Sequence, residues 1–493
     1  MRQASSFLRF LVFLLLCPCF ALSYDGPSYD YTAYTECKEV PERPLYNGGI
    51  LQNELPAFKL SRINDASITY KSPAFVLPNL TQDTIYCFST WVKIQGAESS
   101  LVTASLTTDN ATYNCVGTVL AQSGCWSFLK GGFILDAPSN LSTLYFQNSA
   151  HKNIDIAIAS ASLQPFTYQQ WRTNQQYIIN TARKRAVTIH VSDSHGNRLQ
   201  EAAITIEQIS KDFPLGSAIA RLVCGAIQCS SLRNELKWYA TEPEQGEVDY
   251  SIPDQMLQLI RANQIVARGH NIFWEDPKYT PAWVRNLSGA ALKSAVNSRI
   301  QSLMSKYKEE FIHWDVSNEM LHFDFYEQRL GPDATLYFYE TAHIADPSAT
   351  LFMNEFNVVE TCSDVNSTVD TYVSRLRDLE RGGFLSRTSV ERRLLASCRE
   401  WIILWTALHP DGCYQMCLTD DNLQNLPAGD VVDKLLLEWK TGELNGYTDE
   451  HGSYSLHGYL GEYRVSVAYG NRAANSTFSL CPSDETKHFN IQL

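Results

Sequence analysis

Short apolar runs, broken at regular intervals by turn-forming residues, mark the first part of the chain. Residues 74–77 and 85–88 are such runs, residues 154–159 alternate apolar and polar positions, and Gly, Asn, Ser and Thr recur about every ten residues. Many short strands at this spacing are typical of an antiparallel sandwich. The pattern predicts an N-terminal antiparallel β-sandwich over residues 44–165.

The middle of the chain alternates helical and strand-like runs. Residues 256–262 have helical spacing and precede the apolar run 265–270, and residues 300–307 precede the run 311–316. Such alternation favours a parallel sheet with crossover helices. About 250 residues of this pattern predict a (β/α)8 TIM barrel over residues 187–440.

The barrel that this pattern predicts is incomplete. Its candidate strands are residues 216–219, 234–238, 265–274, 311–319, 350–357 and 401–407. The 43 residues 358–400 separate the last two strands. One βα unit takes ~30 residues, so we expect the sixth and seventh strands to be missing. Only 14 residues separate Ile219 from Asn234, so the first crossover is short as well. Later short strands predict a small β domain over residues 446–493.

Residues 1–23 have the pattern of a secretory signal peptide. Arg2 and Arg9 precede an apolar run over residues 10–20, and Ala21 and Ser23 are small residues at cleavage-site spacing. No later segment reaches the ~18 apolar residues of a membrane span. We expect a secreted, extracellular or cell-wall protein without a membrane anchor.

Secretion changes how the 13 cysteines are interpreted. Loss of the signal peptide leaves 11 in an oxidising compartment, so at least one is unpaired or bridges two chains. Cys115 and Cys125, and likewise Cys413 and Cys417, are close enough in sequence to pair, although the connectivity stays open. Zinc is the alternative for the second pair, but no further Cys/His pair follows at finger spacing, and we expect no metal.

Composition and modification sequences narrow the class of partner. Hydrophobic residues make up 44% of the chain, which excludes a largely disordered protein. A net charge of −13 without a long basic run argues against nucleic acid as the partner. Six Asn-x-Ser/Thr sequons are compatible with a glycoprotein; they begin at Asn79, Asn110, Asn140, Asn286, Asn366 and Asn475.

Two neighbouring candidate strands end in polar side chains. The string Trp-Asp-Val-Ser-Asn-Glu closes with Asn318 and Glu319, where barrel enzymes place catalytic groups. A desolvated Glu has a raised pKa and is suited to donate a proton; the alternative is a capping or surface Glu. The preceding strand ends with His270 and Trp274, and a structural role for that His is the alternative to substrate contact. Asn234 and Lys237 form a third polar set.

These strings resemble plant secreted endo-1,4-β-xylanases of glycoside hydrolase family 10. The matching segments are residues 213–219, 234–242, 268–283, 313–325, 351–357, 404–410 and 413–439. Residues 124–132 are similar to a family 22 type of carbohydrate-binding module. Trp91 and Trp126 are candidate sugar contacts of that module, or else core residues.

The resemblance implies retaining hydrolysis of β-1,4-xylan by two glutamates ~5–5.5 Å apart, without a cofactor. Glu319 would be the general acid/base, and Asn318 would bind the sugar 2-hydroxyl. His270, Asn234 and Lys237 would line the glycone subsites. Trp274 and Trp405 would wall the central subsite.

The chain departs from the family at the nucleophile. The family's Ile-Thr-Glu-x-Asp string does not occur in the sequence, and the family's Glu-Asn pair reads Arg233-Asn234 here. The nucleophile is therefore not found. The acids available instead are Glu355, Glu360, Glu391 and Glu400, and none is well placed by the sequence.

Three hypotheses remain: a working xylanase, a non-catalytic protein that binds xylan or a related cell-wall polysaccharide, and a poorly folding product with uncovered sheet edges. We expect strongly reduced or absent hydrolysis, because a lone acid/base cannot form the glycosyl-enzyme intermediate.

Overall fold

The structure of the chain is a computed structural model. It describes residues 27–52, 54–62, 69–148, 154–212, 215–219, 229–232, 234–359, 361–381, 402–404, 417–420, 424–483 and 485–493. The chain divides into two compact units, Met1–Ile178 and Ile179–Leu493. The predicted signal peptide, residues 1–23, lies outside the described residues. No helix in the described ranges is long and apolar enough to cross a membrane.

The first unit contains two antiparallel sheets. Its strands are β1 (Ala57–Arg62), β2 (Thr69–Leu80), β3 (Thr84–Gln95), β4 (Ser99–Thr107), β5 (Thr112–Gln122), β6 (Ser127–Ile134), β7 (Ser139–Asn148) and β8 (Asp155–Thr167), and helix α1 (Tyr168–Ala182) follows. Five strands pair in the order β1-β2-β7-β4-β5 and three in the order β6-β3-β8.

Both sheets contribute to one apolar core. Strand β3 supplies Phe88 and Val92, and β7 supplies Leu144 and Phe146, all of them buried. Gly131 on β6 allows β5 to approach closely, because a Cβ at this position would lie 2.0 Å from the Val116 carbonyl oxygen. The two sheets therefore bury their apolar faces together.

The two tryptophans proposed as sugar contacts differ in exposure. Trp91 is 1% exposed and packs against Tyr34 and Phe128, so it is a core residue and presents no surface to a ligand. Trp126 is partly exposed, and Lys93 lies 5.9 Å from its ring.

A disulfide in the first unit joins Cys37 and Cys125. The pair Cys115 and Cys125, which the sequence allowed, is therefore not formed, although Cys115 is itself disulfide-bonded. Cys413 lies outside the described residues.

The second unit begins with strands β9 (Lys184–Ser192), β10 (Ala203–Lys211), β11 (Leu215–Ile219), β12 (Cys229–Leu232), β13 (Val266–Trp274), β14 (His313–Asn318), β15 (Thr350–Asn354) and β16 (Ile402–Leu404). It ends with β17 (Leu444–Tyr447), β18 (Ser453–Tyr459), β19 (Gly461–Tyr469), β20 (Arg472–Leu480) and β21 (Lys487–Gln492). Its helices are α2 (Trp238–Thr241), α3 (Ser251–Ala262), α4 (Gly289–Lys306), α5 (Glu327–Leu330), α6 (Ala334–Ala345), α7 (Val369–Arg381) and α8 (Pro427–Glu438).

The C-terminal strands do not form a domain of their own. They pair with β9 and β10 in two sheets, β17-β10-β19-β20 and β18-β9-β21, and strand residues such as Ile189, Ile206 and Val465 share one core. The boundaries predicted at residues 187 and 446 are corrected accordingly. The first strands assigned to the barrel belong with the C-terminal strands, because their apolar faces pack against one another.

The described strands β11 to β16 form a parallel sheet in the order β15-β14-β13-β12-β11-β16. The last strand pairs with the first, as it does around a barrel wall. The second strand was predicted at residues 234–238 but lies earlier, at Cys229–Leu232. Lys237 donates its N–H to the Asn234 carbonyl oxygen at 3.1 Å, which closes a turn just before α2.

Helix α4 covers the sheet and also supports the chain next to the site. Leu292, Val296, Ile300 and Leu303 repeat at helical spacing and are all buried. On the same helix, the buried Arg299 donates to the Leu236 carbonyl oxygen at 2.7 Å and to Thr241 Oγ1 at 2.8 Å. This guanidinium group fixes the segment that carries Lys237.

Candidate active site

Strand parity separates the core residues of β14 from its polar residues. Trp314 and Val316 belong to the apolar core, so Asp315 and Ser317 point to the opposite face of the sheet. Gly269 on β13 accommodates the Trp314 ring, because a Cβ there would lie 2.3 Å from Trp314 Cε3. The polar side chains therefore meet on one face, near the C-terminal ends of the strands.

Glu319 follows β14 directly and has a left-handed backbone, with φ at 62°. Its N–H donates to the Asn354 carbonyl oxygen at 2.9 Å, and its Oε2 accepts a hydrogen bond from Trp274 Nε1 at 2.8 Å. Burial raises the pKa of Glu319, while hydrogen bonds from Trp274 and Asn318 partly oppose that rise. The carboxyl group therefore holds its proton to higher pH than a solvated Glu, as a general acid requires.

Asn318 is oriented by the next strand. It is 1% exposed, and its Oδ1 accepts a hydrogen bond from Asn354 Nδ2 at 2.7 Å. With the oxygen engaged in this way, the side-chain amide is held in one orientation beside Glu319. The sequence did not single out Asn354 as a site residue. Its position as a polar residue at the end of a strand could have indicated it.

Trp274 is held between two side chains. Its indole stacks on the Tyr279 ring with centroids 3.9 Å apart, and Lys237 Nζ lies 4.1 Å from the indole centroid. Both groups therefore restrict the position of the indole. Trp274 remains a predicted sugar wall, and it contributes the N–H that holds Glu319.

Lys237 and Asn234 lie together at the turn before α2. Lys237 is only 2% exposed and donates to Asn234 Oδ1 at 3.0 Å, and Asn234 is exposed. The charge of Lys237 contributes to lowering the pKa of Glu319, so both residues belong to the same electrostatic environment.

His270 lies below the strand ends in a buried ion network. It is 2% exposed, and its Nδ1 is 2.8 Å from Asp315 Oδ2. Arg268 holds the same carboxylate through two nitrogens. Burial lowers the pKa of His270 despite the hydrogen bond to Asp315. Burial alone would raise the pKa of Asp315, but Arg268 and His270 outweigh it and lower that pKa to about 2.

A second ion network lies close to Glu319. The sequence did not predict that its residues lie together. His322 Nδ1 lies 2.8 Å from Glu355 Oε2, and His322 Nε2 lies 2.8 Å from Asp364 Oδ2. The His322 ring stacks on Phe356 with centroids 3.9 Å apart. Burial alone would lower the pKa of His322, but Asp364 and Glu355 raise it. This imidazole therefore favours the charged form.

Glu275 is a further buried acid that the sequence did not single out. It is 1% exposed and accepts hydrogen bonds from Ser317 Oγ at 2.6 Å and from the Tyr326 N–H at 3.2 Å. Burial raises its pKa to about 7 despite these hydrogen bonds. Its contacts link the ends of β13 and β14 to the loop before α5.

Several predicted site residues lie outside the described residues: Trp405, Arg233 and the nucleophile candidates Glu360, Glu391 and Glu400. Glu355 is described, and its side chain is 0% exposed. In the described part of the chain, no group of three or more His, Cys, Asp or Glu residues could hold a metal ion.

Comparisons with known proteins find similarity to the same family that the motifs at the strand ends resemble. Residues 194–384 match the model of glycosyl hydrolase family 10. Two Arabidopsis thaliana relatives are similar along almost their whole length. Endo-1,4-beta-xylanase 4 is 28% identical, with 97% of this chain and 96% of the relative covered. Endo-1,4-beta-xylanase 5 is 28% identical, with 93% of each covered.

These matches show that the chain is similar to glycosyl hydrolase family 10 and to plant endo-1,4-beta-xylanases. The matched residues include Glu319, Asn318, His270 and Lys237, so the family likeness covers the site described above. The family match and the strand order of the parallel sheet agree with a TIM-barrel arrangement of this part of the chain.

Proposed function

We propose that this chain acts on β-1,4-xylan as a family 10-like protein whose endo-hydrolysis is strongly impaired. The observation that carries the proposal is Glu319, a partly buried carboxyl group at a strand end with a raised pKa and a hydrogen bond from Trp274. A general acid of a retaining glycosidase needs this environment to remain protonated until it meets the leaving oxygen.

The neighbouring groups support the same role. Asn318, fixed by Asn354, is the proposed partner of the sugar 2-hydroxyl. Lys237 and Asn234 supply a cation and an amide on the proposed glycone side. His270 acts from beneath these residues: its ring is anchored by Asp315, and the lowered pKa keeps it a neutral hydrogen-bonding group.

We infer impairment because the family's nucleophile string does not occur in the sequence. Retention needs a second carboxylate ~5–5.5 Å from the first that can reach the anomeric carbon. Glu355 has a fully buried side chain bound to the Leu321 N–H and to His322. Glu275 is equally buried. Neither carboxylate is exposed to solvent, which favours the second candidate function, a non-catalytic polysaccharide-binding protein.

The test is hydrolysis and binding of xylohexaose by the purified chain and by Glu319→Gln, with Glu310→Gln as the control at an exposed ion pair. We expect turnover at least 10³-fold below that of a plant family 10 xylanase, because one of two catalytic carboxylates is lacking (about 4 kcal/mol or more in barrier). We expect saturable binding by all three proteins.

Two results would contradict this proposal. Fast turnover with retained anomeric configuration, abolished by Glu319→Gln, would mean that the chain contains a nucleophile. Failure of a cooperatively melting chain to bind xylohexaose would reject the polysaccharide partner. A chain without a cooperative melt would instead support the third hypothesis, a poorly folding product.

We also infer secretion to the cell exterior or wall, where the first unit would act as a carbohydrate-binding module. The pattern of residues 1–23 and the six sequons support this. Expression in plant cells should release a protein whose mass falls on treatment with an N-glycosidase. Retention inside the cells without such a mass change would reject it.

A further inference from the structure

The second unit contains a cavity that is built by other residues than the site around Glu319. Its volume is about 230 Å³, and its lining includes Arg183, Lys211, Asp212, Trp439, Tyr459 and Leu460. Sites for drug-sized ligands typically measure ~300–1,000 Å³. This cavity therefore suits a single ring rather than a long ligand.

Hydrogen bonds hold the walls of the cavity in place. The Leu460 N–H donates to the Arg183 carbonyl oxygen at 2.9 Å, and the Asp212 N–H donates to the Leu460 carbonyl oxygen at 3.1 Å. Lys211 Nζ donates to the Leu436 carbonyl oxygen at 2.9 Å, which ties β10 to α8. Four separate segments of the chain are thus fixed around the cavity before any ligand arrives.

The close approach of these segments depends on the turn beside Leu460. Gly461 has φ at 138°, and a Cβ there would lie 2.1 Å from the Ser210 carbonyl oxygen. The Tyr463 hydroxyl donates to the Tyr459 carbonyl oxygen at 2.6 Å. The backbone that presents Tyr459 is therefore fixed on both sides.

The lining combines aromatic rings with an excess of cations. Trp439 and Tyr459 are both partly exposed. Besides Arg183 and Lys211, Lys184 Nζ lies 4.6 Å from the Tyr459 ring, and the charge of Lys440 reaches Lys211.

Fewer acidic than basic side chains lie at or near the cavity. Asp212 lines the cavity, and the charge of Glu438 reaches Tyr459. Arg183 and Lys211 therefore line the cavity against one acid, Asp212. Lys184, Lys440 and Glu438 add charge nearby, so the local charge is positive in a chain whose net charge is −13.

We propose that this cavity binds one six-membered sugar ring that carries a carboxylate, that is, a uronate. The apolar face of the ring would pack on Trp439 and Tyr459, as amphipathic aromatic walls allow. Arg183 and Lys211 would receive the carboxylate through charge-assisted hydrogen bonds. Asp212 would accept hydrogen bonds from the ring hydroxyls. A flat aromatic acid without hydroxyls cannot make these bonds, so this contact would favour a sugar.

The experiment is a ligand-observed NMR titration of the full chain with glucuronate and with glucose, which differ only in the carboxylate. A single ring of this size suggests a Kd on the order of 1 mM. We expect glucuronate to bind at least tenfold more tightly than glucose, and added salt to reduce that preference. Benzoate is the third probe and should bind more weakly than glucuronate.

Matched variants locate the binding. Lys211→Met and Trp439→Ala should each weaken glucuronate binding at least fivefold, whereas Arg472→Gln, at an exposed Arg on β20, should not. Trp439→Phe keeps an aromatic wall and covers the case in which the Ala variant fails to fold. Glu319→Gln should bind glucuronate like the parent, so the result is independent of the proposed xylan site.

Four outcomes would overturn the proposal. Equal affinity for glucose and glucuronate would reject the carboxylate. Tighter binding of benzoate than of glucuronate would reject the sugar. Absence of glucuronate binding by the cooperatively folded chain would reject the cavity as the site, and so would unchanged binding in both Lys211→Met and Trp439→Ala.

Discussion

His270 and His322 each lie 2.8 Å from a buried carboxylate oxygen, yet their pKa values shift in opposite directions. His270 shares Asp315 with Arg268 inside the sheet, and its pKa is lowered by burial. His322 lies in the segment after Glu319, between Glu355 and Asp364, and these carboxylates raise its pKa. The two clusters therefore offer the same hydrogen bond in different charge environments.

The difference shows that local charge balance, not the hydrogen bond alone, determines the state of each imidazole. Arg268 already neutralises Asp315, so a proton on His270 would be an uncompensated buried charge. Two carboxylates surround His322, so its proton neutralises one of them. The positive charge of His322 also contributes to lowering the pKa of Glu319, which links the second cluster to the proposed acid.

The largest effect should come from removing the cation of the first cluster. Arg268→Met leaves Asp315, which is 2% exposed, without its guanidinium partner, and breaking a buried ion pair costs about 3–5 kcal/mol. The free energy of unfolding at pH 8, measured in urea, should fall by this amount.

The pH dependence of the stability of Arg268→Met tests the charge balance around His270. In the parent, the lowered pKa of His270 means that its contribution to stability is lost as pH falls below ~6.5. In Arg268→Met the unbalanced Asp315 should raise that pKa, so the variant should regain part of its stability between pH 8 and pH 6. The control is Arg261→Met at the exposed pair with Glu310, where we expect ~1 kcal/mol or less. Equal losses at both pH values would contradict the charge-balance account.

A smaller effect should follow from removing one carboxylate of the second cluster. The raised pKa of His322 gives stability that is present below ~6.5 and is lost as pH rises through the folded-state pKa. Asp364→Asn weakens this contribution, so the variant should lose about 1 kcal/mol at pH 5.5 and less at pH 8.5. Chemical denaturation at the two pH values measures the difference.

The matched control for this variant is Asp378→Asn, at an exposed ion pair with Arg381 on α7. Its effect should be small and should not involve His322. A loss in Asp364→Asn that is larger at pH 8.5 than at pH 5.5 would mean that His322 is neutral in the folded protein.

The first cluster could have been anticipated from the sequence, and the second could not. Alternation along β14 places Asp315 opposite the core residues Trp314 and Val316, so a polar face on these strands follows from period two. His322, Glu355 and Asp364 come from loops 33 and 42 residues apart, and no periodicity relates such positions.

Two errors about the fold have a similar cause. Leu236 and Trp238 are both buried, and this spacing of two residues imitates a strand where the chain forms a turn and starts α2. Strands β9 and β10 have recognisable strand patterns, but their partners lie about 260 residues later. Local sequence patterns identify a strand, whereas its pairing partner depends on long-range packing.

The smallest effect should be the most specific to Glu319. Trp274→Phe keeps an aromatic ring against Tyr279 and Lys237 but removes the N–H that Trp274 donates to Glu319. That hydrogen bond lowers the pKa of Glu319, so its loss should raise this pKa further, while stability should change by only about 1 kcal/mol. Carbon-13 NMR of the Glu side chains, assigned with Glu319→Gln, measures the pKa.

Trp283→Phe is the matched control for this titration, because the Trp283 indole donates to the Glu242 carbonyl oxygen at 3.0 Å instead. It should leave the Glu319 titration unchanged. A Glu319 pKa that is unchanged or lower in Trp274→Phe would show that the indole N–H does not stabilise the carboxylate, and burial would then be the dominant control on the acid. A rise confined to Trp274→Phe would instead identify Trp274 as the residue that positions the acid and limits how far burial raises its pKa.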